Sequence, residues 1–420
     1  MKKTLRNASL TALFILFSLN ISAQESKPIV TSEVKERISK TLESFVDSGR
    51  VAGASSLIFE KGNEVYFGVF GNADKDKGIS LTRNSIVQIY SMTKPVTGVA
   101  LMQLYEQNKF KLDDPVSKYA PEFTHMKVYE GDDEDGNPIL SEPKRALTIR
   151  DLTRHTSGFV NDGNHPYVGQ LLTEANPFSP EKTLDDIGKI YAELPLIFHP
   201  GEQWYYGPSV DVQAFLVERI SGQPFAEYIQ EHILNPLGMS ETRYFVPEND
   251  RGRMSSAYTK NEAGELTQVP DQQAHYMNVN TISLTPGGWG LTSTLDDYQT
   301  FARMLVNEGT FNGTEILKPE TVKLMATNHL ADEVTERLWL PGKGQVGFGI
   351  DFAVRVAEPV DSNENQGVVG EFFWDGAAST LFWVDPVNEL TAVFFVQIFP
   401  FDGTLHKDFR DAVYGDLSKN

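Results

Sequence analysis

The segments patterned as β-strands lie at the two ends of this chain, and most of what separates them is patterned as helix. Near the start, residues 56–59 and 65–70 are rich in apolar and aromatic side chains and flank Lys61-Gly62-Asn63, which has the turn chemistry of a hairpin. Near the end, residues 367–374, 380–385 and 390–398 are rich in Val, Phe and Trp, with Gly376 and Asp385-Pro386-Val387-Asn388 between them. Apolar residues recur at helical spacing over 96–105, 210–220, 225–234, 296–306 and 319–325. Two further helical patterns, at 30–45 and about 405–417, flank the strands. The pattern predicts an α+β fold: an antiparallel sheet built from N- and C-terminal segments, flanked by helices, with a large mainly helical insertion. The sheet lobe would take about 30–85 and 345–420, and the helical lobe about 86–344.

Composition narrows the chemistry. The 420 residues include no cysteine, which removes disulfides, thiolate nucleophiles and cysteine-ligated metals. With 37 basic and 57 acidic side chains the formal charge is −20, a poor match to nucleic acid or anionic lipid. Lys2, Lys3 and Arg6, the short apolar run 12–19 and the small residues Ser22-Ala23 predict a secretory signal peptide over 1–23. The run is too short to span a bilayer, so 24–420 would be an exported catalytic unit, secreted or periplasmic, with no stable membrane span. Loss of the leader would take the charge to −23. The acidic stretch 130–135 departs from a calcium loop at Gly131, where the first ligand should stand, and reads as a solvated surface loop.

The chain has no Gly-x-Ser-x-Gly elbow, no His-Glu-x-x-His pair and no phosphate-binding loop, and its eight histidines lack ligand spacing. No metal or cofactor is implied. Ser-x-x-Lys occurs four times, at Ser32, Ser91, Ser141 and Ser179. A catalytic pair needs hydroxyl and amine one helical turn apart on one face, close to a helix N-terminus. The copies at Ser141 and Ser179 carry an interior proline, and Ser32 opens a polar helix as a cap would. Ser91-Met92-Thr93-Lys94 follows an apolar approach and opens the apolar helix 96–105, with Pro95 tolerated in the first turn.

The run 91–98, with Leu112-Asp113-Asp114-Pro115 downstream, resembles the serine beta-lactamase-like family of class C beta-lactamases, penicillin-binding carboxypeptidases and related esterases. Residues 147–158, 200–206, 235–239 and 287–294 are similar to further landmarks of that family, so the resemblance spans nearly the whole mature chain. It implies the beta-lactamase/transpeptidase-like fold, with Ser91 as nucleophile, Lys94 as its electrostatic and proton-transfer partner, and Tyr206 as the second-motif tyrosine. Tyr205, one residue earlier, has the same chemistry. A free tyrosine hydroxyl titrates near ~10, so a tyrosine base would need a cation beside it, and the alternative base is a neutral Lys94. The resemblance also implies an oxyanion hole from the backbone amides of Ser91 and Ala377, with Trp374 and Gly376 of Trp374-Asp375-Gly376 lining the substrate site.

Two departures set the expected substrate. The Asn that usually follows the tyrosine by two positions is replaced by Pro208, after Gly207, with Ser209 next. The cation of the third motif is replaced by Trp374, beside Asp375. Both weaken recognition of penicillins and D-Ala-D-Ala peptides, and Trp-x-Gly resembles the esterase branch. The expectation is therefore a serine hydrolase cleaving small carboxylic esters through an acyl-serine. The alternatives are a beta-lactamase or D-Ala-D-Ala carboxypeptidase, an acyl transferase, and an inactive penicillin-recognising protein.

Overall fold

The computed structural model of the protein describes residues 27–417, so the expected signal segment 1–23 lies outside the described residues. Eight strands form one antiparallel sheet: β1 (Gly53–Glu60), β2 (Asn63–Asp74), β3 (Ile79–Ser80), β4 (Val346–Phe348), β5 (Ala353–Arg355), β6 (Phe372–Asp375), β7 (Leu381–Asp385) and β8 (Leu390–Phe395). Their spatial order is β4-β5-β6-β7-β8-β1-β2-β3. The two ends of the chain meet where β1 runs antiparallel to β8, with Ser55 opposite Phe395 and Glu60 opposite Leu390. The first hairpin turns on Lys61 and Gly62, both at positive φ (49° and 76°), as a two-residue turn matching strand twist requires. Strands β3, β4 and β5 are two or three residues long and carry too little alternation to be read from sequence.

The principal helices are α1 (Ser32–Asp47), α2 (Thr93–Glu106), α3 (Ser209–Ser221), α4 (Leu295–Val306) and α5 (Gly403–Tyr414). Thr31, not Ser32, caps α1, its hydroxyl accepting the Val34 N–H. On one face of the sheet, Phe394 of β8 meets Phe45 of α1 and stacks on Phe409 of α5, with ring centroids 6.2 and 4.8 Å apart. On the other, Phe382 of β7 meets Tyr298 of α4 edge-on at 5.0 Å. Alternation along β7 and β8 sends successive side chains to opposite helical layers, so every residue of both strands is buried. The helical segment between β3 and β4 packs α2 against α3 and brings them to the edge of the sheet where β6 ends.

Residues 130–135 span the end of the first strand and the start of the turn of an exposed hairpin, strands Val128–Asp132 and Pro138–Ser141, where Asp133 accepts the Asp135 and Asn137 N–H groups. Among the described residues no helix is long and apolar enough to cross a membrane.

Candidate active site

Ser91 stands in a 3₁₀ turn, Tyr90–Met92, that leads into α2. The turn is tight because Tyr90 adopts a left-handed conformation, φ 47°, costing a bulky residue on the order of 1–3 kcal/mol. Surrounding structure holds it there. Tyr298 of α4 donates to the Met92 carbonyl at 2.7 Å, and the Ile89 N–H donates to the Leu291 carbonyl at 3.1 Å. Thr97 donates to the Gly287 carbonyl at 2.6 Å, so residues 287–291 are laced along the start of α2.

Lys94 is buried one turn after Ser91. Its Nζ donates to Ser91 Oγ at 3.3 Å and to the Gly288 carbonyl at 2.7 Å, and lies 4.6 Å from the ring centroid of Tyr206. Tyr206 precedes α3, and its Oη accepts the indole N–H of Trp374 at 3.3 Å. The three side chains expected to carry the chemistry are therefore brought together. Tyr205 packs beside Phe198 and does not line the cleft.

Behind Lys94 lies a carboxyl that the sequence reading did not single out. Asp211 of α3 is buried and accepts the Gly288 N–H at 2.9 Å, while the carbonyl of the same glycine receives Lys94. Burial lifts its pKa to about 6 against the pull of the Lys94 cation. Glycine at 288 leaves room for both groups: a Cβ would lie 2.9 Å from Asp211 Oδ2 and 3.2 Å from Lys94 Nζ. The signal in the sequence was an acid between Val210 and Val212 in the first turn of a helix whose neighbouring positions are mostly apolar. A second buried carboxyl, Asp351, accepts from Gln213 at 3.0 Å and is pushed well above the carboxylate range by burial. His155, ringed by Trp204, Tyr206 and Phe348, is held neutral by burial and by the Lys94 charge.

Two cavities meet at Ser91, Tyr206 and Ala377. One, of 440 Å³, is walled by Trp339, Gly342, Lys343, Asp375, Gly376 and Phe401. The other, of 290 Å³, takes in Asn161, Phe178, Gly207, Pro208, Asp211 and Trp289. Gly376 lets the end of β6 approach the nucleophile turn, since a Cβ there would fall 2.5 Å from the Ile89 carbonyl oxygen. Ala377 follows it at the mouth of both cavities.

Trp374, expected to line the substrate site, lies behind the cleft surface. Its side chain is fully buried, stacked at 6.2 Å on Trp339, and reaches the site only through its N–H; Trp339 supplies the aromatic wall. The third-motif position itself holds Trp374 in place of a cation. Lys343, from the loop before β4, forms a buried ion pair with Asp375, so a cation stands beside the motif after all. Its Pro341-Gly342-Lys343-Gly344 context gave no sign of this. Ser209 is spent on a 2.8 Å hydrogen bond with Ser157, while Asn161 stands in the second cavity near Gly207. Among the described residues no three His, Asp or Glu side chains are grouped to hold a metal ion.

The beta-lactamase family model matches residues 38–414. The chain belongs to the beta-lactamase family. This family member is 33% identical over 379 residues to an uncharacterised protein of Mycobacterium tuberculosis, covering 89% of this chain and 91% of that one. It is 27% identical over 401 residues to the lovastatin esterase of Penicillium rubens, covering 90% and 96%. Its fold matches that of EstCE1, a hydrolase with promiscuous acyltransferase activity, with a TM-score of 0.76 at 24% identity over 91% of this chain and 99% of that one. The protein is thus an enzyme of the serine beta-lactamase fold, with serine-based hydrolysis or acyl transfer as its class of chemistry.

Proposed function

We propose that this protein is a serine ester hydrolase that works through an acyl-Ser91 intermediate. The observation that carries the reading is the contact of Ser91 Oγ with Lys94 Nζ at 3.3 Å, on the floor of a cleft whose far wall is aromatic. Ser91 Oγ attacks the ester carbonyl carbon and its proton passes to Tyr206 Oη. Tyr206 takes that proton as a phenolate, whose negative charge before the transfer is balanced by the Lys94 ammonium and by the Trp374 N–H. The carbonyl oxygen, now an oxyanion, would be held by the backbone N–H groups of Ser91 and Ala377. Collapse breaks the bond to the alcohol oxygen, which takes the proton from Tyr206. Water then attacks the acyl carbon and gives a proton to Tyr206, which passes it to Ser91 Oγ as the acyl–oxygen bond breaks, releasing the acid and free Ser91.

The absence of an asparagine after Tyr206 and the pairing of Lys343 by Asp375 both favour an ester over a penicillin or a D-Ala-D-Ala peptide. A second reading, acyl transfer, is favoured by one feature: two cavities open on the same hydroxyl, so an alcohol seated in one could replace water. Short-chain nitrophenyl esters, a chromogenic cephalosporin and an added alcohol acceptor separate the readings. Fast ester turnover that stops in Ser91→Ala supports hydrolysis. Cephalosporin turnover exceeding ester turnover overturns the substrate assignment, and ester product exceeding free acid assigns the transferase. We also propose export with cleavage after Ala23, for which a mature N-terminus at Gln24 is the expected sequencing result.

A further inference from the structure

The ion pair Lys343–Asp375 occupies an unusual place. Both side chains are about nine-tenths buried, and the Lys343 Nζ lies 5.0–5.1 Å from the ring centroids of Trp339, Trp374 and Phe401. Two charges in such surroundings lose their hydration, and well-packed apolar side chains of similar volume would serve stability as well or better. The pair also lines two cavities at once: the 440 Å³ cleft that holds Ser91, and a 380 Å³ chamber beyond it. Gly342, Lys343, Asp375 and Phe401 are common to both, so the pair stands at their junction. The far chamber mixes polar side chains, Asn363, Asn365, Thr404 and Lys407 among them, with the apolar Phe373, Leu381 and Phe401. His406 adds no charge: its Nε2 is bonded to the Ser379 carbonyl at 2.9 Å, and burial takes its pKa down to about 4.

The chemistry of what can sit there follows from the pair's composition. A substrate carboxylate gains Lys343 but meets Asp375, and an ammonium group meets the reverse. A hydrocarbon covers both charges and returns nothing for their remaining hydration. A hydroxyl accepts from the Lys343 ammonium and donates to the Asp375 carboxylate, making two charge-assisted hydrogen bonds without separating the pair. We propose that Lys343 and Asp375 form a specificity site for an uncharged, hydroxyl-bearing part of the substrate, so that the preferred esters are hydroxylated ones extending from Ser91 to the junction of the two cavities. This rests on the ester-hydrolase reading above and adds the substrate class to it.

The test compares matched esters that differ only in one group five to seven bonds from the carbonyl carbon: a hydroxyl, a hydrogen or a carboxylate. One set carries the group on the acyl chain and another on the alcohol. In the wild-type protein the hydroxylated ester of at least one set is expected to exceed its deoxy partner in kcat/KM by about tenfold or more. In the double variant Lys343→Met with Asp375→Leu, which replaces the pair with apolar side chains of similar size, that ratio should fall to within about twofold. Asp375→Asn, which keeps the shape, should reduce it as well. Equal rates for hydroxylated and deoxy esters in both sets, a carboxylate ester faster than either, or a preference that survives in the double variant would each overturn the proposal. A fluorophosphonate probe on the wild-type protein keeps the two levels apart. Labelling of Ser91 without a hydroxyl preference removes only the specificity site, whereas failure to label Ser91 removes the hydrolase reading beneath it.

Discussion

At the scale of single residues, the site is organised around one ammonium. Lys94 faces Ser91, the Gly288 carbonyl and the Tyr206 ring, and Asp211 holds Gly288 from its other side. Asp211 bears a cost for this. Its native pKa of about 6 lies above the usual carboxylate value, so the folded state holds its proton more tightly than the unfolded chain does. Its contribution therefore opposes folding as pH rises through the window from about 4 to 6, and by pH 8 the penalty is complete, about 3 kcal/mol. Asp211→Asn should melt higher than the wild type at pH 8, by a margin that shrinks at pH 5, while kcat falls because Lys94 has lost a counter-charge. Thermal unfolding at the two pH values, with ester turnover alongside, checks both parts. Trp374 acts on Tyr206 through a single hydrogen bond, so Trp374→Phe should lower kcat about tenfold with KM little changed, whereas Tyr206→Phe should lower it by ~10²–10⁴. Steady-state kinetics of the two variants side by side measures the difference. Of these residues, Ser91, Lys94 and Tyr206 were legible because a motif carries them. Lys343 was not, because a lysine in a glycine-rich loop reveals its partner only when β6 is placed beside it.

At the scale of elements, the site depends on two segments approaching more closely than side chains normally allow. Gly376 brings the end of β6 against Ile89, and Gly288 brings residues 287–291 against Lys94 and Asp211. Gly376→Ala would put a Cβ 2.2 Å from Thr380 Oγ1 and 2.5 Å from the Ile89 carbonyl, forcing β6 away from the nucleophile turn. Turnover should drop ~10²–10³, the scale of losing an oxyanion donor, with a stability loss of about 1–3 kcal/mol. Kinetics read together with a denaturation curve would show the first effect exceeding the second. The main helices were readable from their apolar period, and the main strands from runs rich in apolar and aromatic residues bounded by turn residues. The edge strands β3, β4 and β5 were not, since tertiary pairing rather than local pattern makes them strands.

At the scale of the whole molecule, the sheet closes only when the two ends of the chain meet at β1 and β8, and a buried ionic cluster ties its C-terminal half to α5. Glu371 Oε1 accepts from Arg355 Nε at 3.0 Å and from Arg410 Nη1 at 2.8 Å, with all three side chains buried. Two guanidinium groups share one carboxylate, so Glu371→Gln would leave like charges facing each other in the interior. The thermal midpoint should fall by the equivalent of about 3–5 kcal/mol, measured by calorimetry against the wild type.

The central claim is that Ser91 becomes covalently acylated by an ester. Rapid mixing of the protein with a nitrophenyl ester, followed by acid quench and intact-mass measurement, tests it most directly. The expected result is a transient mass increase equal to one acyl group, mapping to the peptide that contains Ser91 and absent in Ser91→Ala. Ester turnover that persists in Ser91→Ala, or an acyl group found on another residue, would contradict it.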